Sequence, residues 1–127
     1  MKQIILDTNF LLIPAQFRVD IFSEIDRICA FSYEIAVLDK TLDELEKIVR
    51  EQKGKNRDAA KLALQLLKKK DLKIIPTASQ KSADEALIEL AGKDTIIATQ
   101  DSAVRNAARK KLAKVIFLRN KKHLEIQ

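Results

Sequence analysis

The chain has 127 residues, 46% of them hydrophobic and 33% charged, with a net charge of +6; this is one domain's worth of polymer with a core of its own, and it excludes a disordered chain. One cysteine (Cys29), one histidine (His123), two glycines and two prolines exclude an internal disulfide framework, a cysteine-based zinc cluster and the glycine-rich loops that cradle nucleotide phosphates, and they leave little from which to build a Ser-His-Asp triad. The available chemistry therefore belongs to carboxylates, hydroxyls, amides and cations.

Along the chain, short β-like runs alternate with helical patterns. Lys2–Leu6 reads as a buried strand, and Val19–Phe31 as a helix with Ile21, Phe22, Ile25 and Ile28 on one stripe. Glu34–Leu38 is the second strand. The helix Leu42–Glu51 carries Leu42, Leu45, Ile48 and Val49 at helical spacing, and Asn56–Lys70 carries Ala59, Leu62, Ala63, Leu66 and Leu67. The segment around Gly54 reads as an exposed turn between them. Leu72–Ile75 is a third strand closed by Pro76, Ser82–Ala91 a helix, Thr95–Thr99 a strand, Asp101–Lys111 a helix and Val115–Leu118 the last strand. Strands separated by helices predict parallel neighbours and a three-layer α/β/α sandwich with a central parallel sheet, residues 1–127 forming a single domain.

Placing the acidic residues on that scaffold is informative. Asp7 closes the first strand, and Glu44 falls in the first turn of the helix after the second. Asp84 falls in the first turn of the helix after the third strand, and Asp101 follows the fourth and opens its helix. In a parallel α/β sheet, strand C-termini and helix N-termini share one edge, where such folds place their sites. Each residue also has a local explanation: Asp7 and Asp101 suit turn or N-cap positions, while Thr41-x-x-Glu44 and Ser82-x-x-Glu85 have capping-box spacing. Asp39, Asp43 and Glu46 suit solvent or caps. Four carboxylates at one edge repel one another unless a cation intervenes, and a hard divalent ion with oxygen ligands, Mg²⁺ or Mn²⁺, is the natural resolution.

Charge is uneven. Segment 20–46 holds eight acidic and two basic residues, segment 47–73 ten basic and three acidic, and segment 105–127 eight basic and one acidic. Basic stretches around acidic points suit a polyanion, although Lys-rich solvated helix faces give the same statistics. With aromatics at 5% and no tryptophan, a base-stacking platform is poorly supported. An acidic site within basic surface suits phosphodiester cleavage, with cations on the backbone and a metal that polarises the phosphate and activates water. Arg105, one helical turn beyond Asp101, and Lys53, Lys55 and Arg57 near Gly54 are the candidate backbone contacts. No apolar run approaches the ~20 residues of a membrane span, and Asp7 arrives too early for a signal peptide, so a cytoplasmic location is expected.

The segment Ile5-Leu6-Asp7-Thr8-Asn9-Phe10-Leu11-Leu12 resembles the opening motif of PIN-domain nucleases. Leu42-Asp43-Glu44-Leu45-Glu46-Lys47-Ile48 is similar to their second motif, Ala83-Asp84-Glu85-Ala86-Leu87 to the third, and Ile97-Ala98-Thr99-Gln100-Asp101-Ser102-Ala103-Val104-Arg105 to the fourth. The likeness covers nearly the whole chain, and is nearest to the archaeal branch related to the Fcf1/Utp24 nucleases of ribosomal-RNA processing. VapC-like toxins share the acidic pattern. Gln100 stands where many members have a small residue or Asn, and the cysteine cluster of some eukaryotic relatives is absent.

The resemblance implies a Mg²⁺- or Mn²⁺-dependent endonuclease for single-stranded RNA. Asp7, Glu44, Asp84 and Asp101 would hold one or two ions, and Asn9 and Thr99 would orient ligands or water. RNA processing is the leading role expected. The alternatives are a VapC-type toxin paired with an antitoxin, and a non-catalytic RNA- or protein-binding module, which usually lacks one or more of the acids kept here. A flap-type DNA nuclease normally carries extra helical elements for which 127 residues leave little room. A homodimer, with Phe17, Phe22 or Phe31 at its interface, and a ribosome-assembly partner are further expectations.

Overall fold

The computed structural model describes residues 1–127 and centres on one six-stranded sheet. Its strands are β1 (Lys2–Leu6), β2 (Tyr33–Leu38), β3 (Lys73–Ile75), β4 (Thr95–Ala98), β5 (Val115–Arg119) and β6 (His123–Ile126). They lie in the order β3-β2-β1-β4-β5-β6, parallel throughout except for the antiparallel β5–β6 pair. The chain adds β2 and β3 on one side of β1, then crosses to add β4 and β5 on the other. The strand order therefore reverses between β1 and β4, and a crevice opens beyond their C-terminal ends.

Helices α1 (Thr8–Leu11), α2 (Ile13–Phe17), α3 (Ile21–Ile28), α4 (Asp39–Glu51) and α5 (Lys55–Lys70) precede β4, and α6 (Ala83–Leu90) and α7 (Ser102–Lys110) flank it in sequence. Alternating strand residues divide the core between them. Ile4, Leu6, Val37, Ile96, Ala98 and Ile116 pack with Phe10, Ile21, Ile25, Leu45 and Ala63 of α1 to α5. Ile5, Ile97, Val115 and Phe117 point the other way, toward Leu87, Val104 and Ala108 of α6 and α7. This is the expected three-layer sandwich, and full burial of each Ile or Leu contributes about 1.5–3 kcal/mol. No helix is long and apolar enough to cross a membrane.

Several boundaries differ from the sequence expectation. The apolar run after Asp7 forms two short helices: Pro14 sits in the first turn of α2, and Arg18 ends it in the left-handed region at φ 55°. The helix expected over Val19–Phe31 is confined to α3, because the Asp20 carboxylate accepts from Ser23 N–H and starts the helix there, and Cys29 is already extended. Helix α4 begins directly at the end of β2, three residues earlier than its apolar stripe suggests. Glu44 consequently lies in the second turn, and Thr41 is an interior helix residue whose hydroxyl makes no hydrogen bond, so the expected Thr41–Glu44 box does not form. Phe22 is buried, and Phe17 and Phe31 are partly buried against the same core.

Strand β6 was not anticipated, because its alternation His123-Leu124-Glu125-Ile126 is short and half polar. A side-chain clamp holds it. The Glu24 carboxylate accepts from Leu124 N–H at 3.0 Å and from Arg27, whose guanidinium donates on to the Leu124 carbonyl. The Arg27 hydrogen bond, with smaller help from Leu124, pushes the Glu24 pKa down to about 2. A depressed carboxylate stabilises the fold above its ordinary value, and that contribution disappears as pH falls through about 2. Glu24→Gln should therefore cost about 1 kcal/mol at neutral pH. Thermal unfolding between pH 7 and pH 2 should show wild type and variant converging at the acid end; a constant difference would mean that packing, not charge, holds β6.

Candidate active site

Asp7 follows directly from β1, the strand with parallel neighbours on both sides, and only 4% of its surface is exposed. Its N–H continues the ladder to the Ala98 carbonyl at 2.9 Å. One carboxylate oxygen accepts from Thr8 N–H at 2.8 Å, capping α1, and the other accepts from Thr99 Oγ1 at 2.7 Å. Thr99 Oγ1 in turn accepts from Asp101 N–H at 3.0 Å. A single buried hydroxyl thus ties the end of β1 to the turn that carries Asp101. Burial is the main cause that raises the Asp7 pKa to about 6, against the lowering effect of Thr99 and Thr8; Asp84 and Glu44 add further upward pressure.

The other three acids approach from α4, α6 and the start of α7. Glu44 accepts from Thr8 Oγ1 at 3.1 Å, which draws α4 to the residue next to Asp7. Its pKa is raised, first by burial and also by Asp84. Asp84 is raised by burial and by Asp101. The four acids therefore form a continuous electrostatic chain, Glu44 and Asp84 acting on Asp7, and Asp101 on Asp84. None of them makes an ion pair: every salt bridge in the chain involves other residues.

The helix starts separate capping from the site. At α6 the box closes between Ser82 and Glu85, whose N–H and carboxylate both meet the Ser82 hydroxyl at 3.1 Å, so Asp84 is not used as a cap. At α7 the cap is Asp101 itself, through one oxygen that accepts from Ala103 and Val104 N–H at 2.8 and 3.2 Å; the second oxygen has no protein partner. Between α4 and α6 lies a depression of about 380 Å³ lined by Lys40, Asp43, Glu44, Ser82, Ala83 and Asp84. A larger cavity of about 820 Å³ lies at the opposite end of β2, among Phe22, Tyr33 and Lys70, and includes none of the four acids.

Of the supporting residues, Thr99 does hold a carboxylate. Asn9 instead accepts from Gln100 N–H at 3.0 Å and so fixes the β4–α7 turn. Arg105 stands one turn beyond Asp101 with its guanidinium 5.0 Å over the Phe117 ring. Lys53, Lys55 and Arg57 are exposed at the α4–α5 turn and are not brought into the acidic set; Lys55 lines a groove with Gln16, Arg18 and Asp58 instead.

Three contributors were missed in the sequence. Thr8 was read only as part of a motif, yet its amide and hydroxyl hold two of the acids. Asp39 was set aside as a cap, yet it accepts from Thr77 N–H and Oγ1 at 3.2 and 2.6 Å and ties down the β3–α6 loop. Lys40 donates to the carbonyls of Ala78 and Lys81 in that same loop. Adjacency to Asp7 was the only available signal for Thr8, and none existed for the long-range pair Asp39–Thr77.

With this geometry in view, comparison with known proteins is decisive. Residues 4–121 match the family model described as a PIN like domain. The chain belongs to that family. A curated relative, Ribonuclease VapC4 of Methanocaldococcus jannaschii, is 32% identical over 130 residues, covering 99% of this chain and 97% of the relative. The solved structure of the PIN domain endonuclease Utp24 superposes with a TM-score of 0.78 at 22% identity, over 98% of this chain and 90% of that one. A domain of a functionally unknown Methanocaldococcus jannaschii protein follows at 0.51 and 17%, covering 94% and 92%. The likeness to Utp24 shows the PIN fold.

The charged Asp7 works against folding. A carboxylate whose pKa rises on folding destabilises the native state at neutral pH, and the penalty declines as pH falls below about 6 and is gone below the ordinary value of 3.8. Asp7→Asn keeps the shape and the acceptor for Thr8 N–H, and its amide can donate to Thr99 Oγ1 where the carboxylate accepted from it, while the charge is removed, so its thermal midpoint at pH 7.5 should equal or exceed that of wild type. A drop of several degrees would show that the carboxylate is a structural cap.

Proposed function

We propose that this PIN-family protein is a divalent-metal-dependent endoribonuclease acting on single-stranded RNA. The observation that carries the reading is the set of four carboxylates delivered by separate segments to the ends of β1 and β4, none neutralised by a basic side chain. Family membership and the ribonuclease relative support nuclease chemistry.

The donor set suits Mg²⁺ or Mn²⁺. All donors are oxygens, their mutual repulsion calls for a cation, and Asp84 and Asp101 have oxygens free of protein partners. No three His, Cys, Asp or Glu side chains stand close enough together to hold an ion as they are placed, so binding one requires the carboxylates to turn toward it. Asp7, Glu44, Asp84 and Asp101 would hold one or two ions. When bound, the metal supplies Lewis-acid stabilisation of phosphate charge and activates water for attack. Thr99 and Thr8 keep the Asp7 carboxylate in one orientation, and Asn9 and Gln100 keep the turn before Asp101 rigid. Arg105, held against Phe117, would meet a backbone phosphate beside the scissile one, with Lys53, Lys55 and Arg57 as a peripheral contact.

RNA processing, ribosomal RNA included, is the cellular role that goes with this reading. The name of the VapC4 relative favours a second role for the same chemistry, a VapC-type toxin held inactive by an antitoxin. Purification with a co-expressed acidic partner that blocks cleavage would select the second.

Labelled single-stranded RNA should be cut internally with Mn²⁺ or Mg²⁺ and left intact with EDTA, and Asp7→Asn should lose at least a hundredfold in rate. Undiminished cleavage by that variant would overturn the assignment. Mn²⁺ should also raise the thermal midpoint of wild type by linkage, and much less that of Asp84→Asn or Asp101→Asn; asparagine remains a good N-cap, so equal shifts would place the metal elsewhere. In Ca²⁺, which holds the complex without turnover, Arg105→Ala should weaken RNA binding severalfold and the Lys53/Lys55/Arg57 triple alanine variant less so, while Lys110→Ala should match wild type.

A further inference from the structure

Strand β5 outruns its neighbour. The register pairs Ala98, the last residue of β4, with Ile116, so Phe117, Leu118 and Arg119 continue past the end of β4. Three residues of strand reach about 10 Å. The Gln100 side chain supports this overhang: its amide oxygen accepts from Leu118 N–H at 2.8 Å, while its backbone N–H is held by Asn9. The Arg105–Phe117 stack lies at the foot of the same extension. The β5–β6 turn therefore rises from the edge that bears Asp7 and Asp101.

That turn is Arg119-Asn120-Lys121-Lys122, closed by Lys122 N–H on the Arg119 carbonyl at 3.1 Å. Asn120 and Lys121 both have positive φ, 53° and 58°, the central pair of a type I′ turn whose second position normally takes glycine, and Lys122 completes the three-residue link between the paired Arg119 and His123. A lysine there is strained, because its Cβ disfavours the left-handed region. The other non-glycine residues with positive φ, Arg18, Asp71 and Leu112, end or follow helices. Arg119 is shared with Glu125 at 3.4 Å, as is His123 at 3.8 Å. Lys121 and Lys122 are exposed and make no ion pair or side-chain hydrogen bond.

We infer that the β5–β6 turn is a binding element for the RNA backbone, with Lys121 and Lys122 gripping phosphates on the β5 side of the acidic centre. The inference rests on the nucleic-acid reading above and adds a surface that it does not contain. A lysine at a strained position, at the tip of a strand that overhangs the acids, places unpaired positive charge beside the edge that bears them.

Lys121→Gly separates function from stability. It relieves the backbone and should raise the thermal midpoint, while lowering affinity for a fluorescein-labelled single-stranded RNA in Ca²⁺. Combined with Lys122→Gln, affinity should fall roughly tenfold at 0.1 M salt, and the log–log salt slope should flatten by about 1.4, the value for two phosphate contacts on a single strand. The rate at saturating RNA in Mn²⁺ should stay at the wild-type value while KM rises. A Lys68→Gln/Lys69→Gln variant, with the same net charge but altered at the far end of α5, serves as control and should bind like wild type. Wild-type affinity and slope in the turn variant, or an equal loss in the control, would overturn the inference while leaving the nuclease reading intact. Failure of wild type to bind or cut single-stranded RNA would overturn both.

Discussion

Everything around the site depends on keeping a charged carboxylate at the buried end of β1. A strand with parallel neighbours on both sides delivers the residue that follows it to the sheet's C-terminal edge, where water is largely excluded, and Asp7 is that residue. Its charge is not cancelled by a cation. It is tolerated through one backbone N–H and one hydroxyl, with Thr99 donating to Asp7 and accepting from Asp101 N–H. That short relay sets the relative position of β1, β4 and α7. Desolvation outweighs these two hydrogen bonds, so the Asp7 pKa stays high, at about 6, and the native state holds a carboxylate that a bound cation would stabilise further.

The helix starts show how the chain supplies more acids at this edge without consuming them as caps. At α6, neighbouring residues share the work: Glu85 completes the box with Ser82 and leaves Asp84 unengaged. At α7 one residue does both, with one Asp101 oxygen on the helix amides and the other without a protein partner. At α4 the helix begins at Asp39, whose carboxylate holds the β3–α6 loop through Thr77. This last contact couples the segments bearing Glu44 and Asp84. The acidic cluster is thus assembled by short polar links between loops, while the two hydrophobic layers fix the strands beneath it.

The distribution of positive charge complements this arrangement. Cations do not pair with the four acids but stand around them: Lys40 is tied to loop carbonyls, Arg105 is stacked on Phe117, and the β5–β6 turn overhangs from the side. A site built this way attracts a polyanion over its whole rim while keeping a local demand for a divalent ion at its centre. The same residues would lose that division of labour if a lysine reached the carboxylates and neutralised them.

The sequence by itself determined the layered α/β architecture, the strand and helix alternation, and the position of Asp7 and Asp101 just after strands, because period-2 and period-3.6 apolar patterns are local properties of each segment. It determined the family as well, through the residues flanking Asp7, Glu44, Asp84 and Asp101. It did not determine β6, whose half-polar run becomes a strand only because Glu24 and Arg27 on α3 hold Leu124. Nor did it determine which capping-spaced acids act as caps: Thr41–Glu44 has the spacing of a box, but α4 starts early enough to bury Thr41 inside the helix, and Glu44 turns to Thr8. Those outcomes hinge on contacts between residues 36 to 100 positions apart, and only packing of the sheet and its helices brings such residues within hydrogen-bond range.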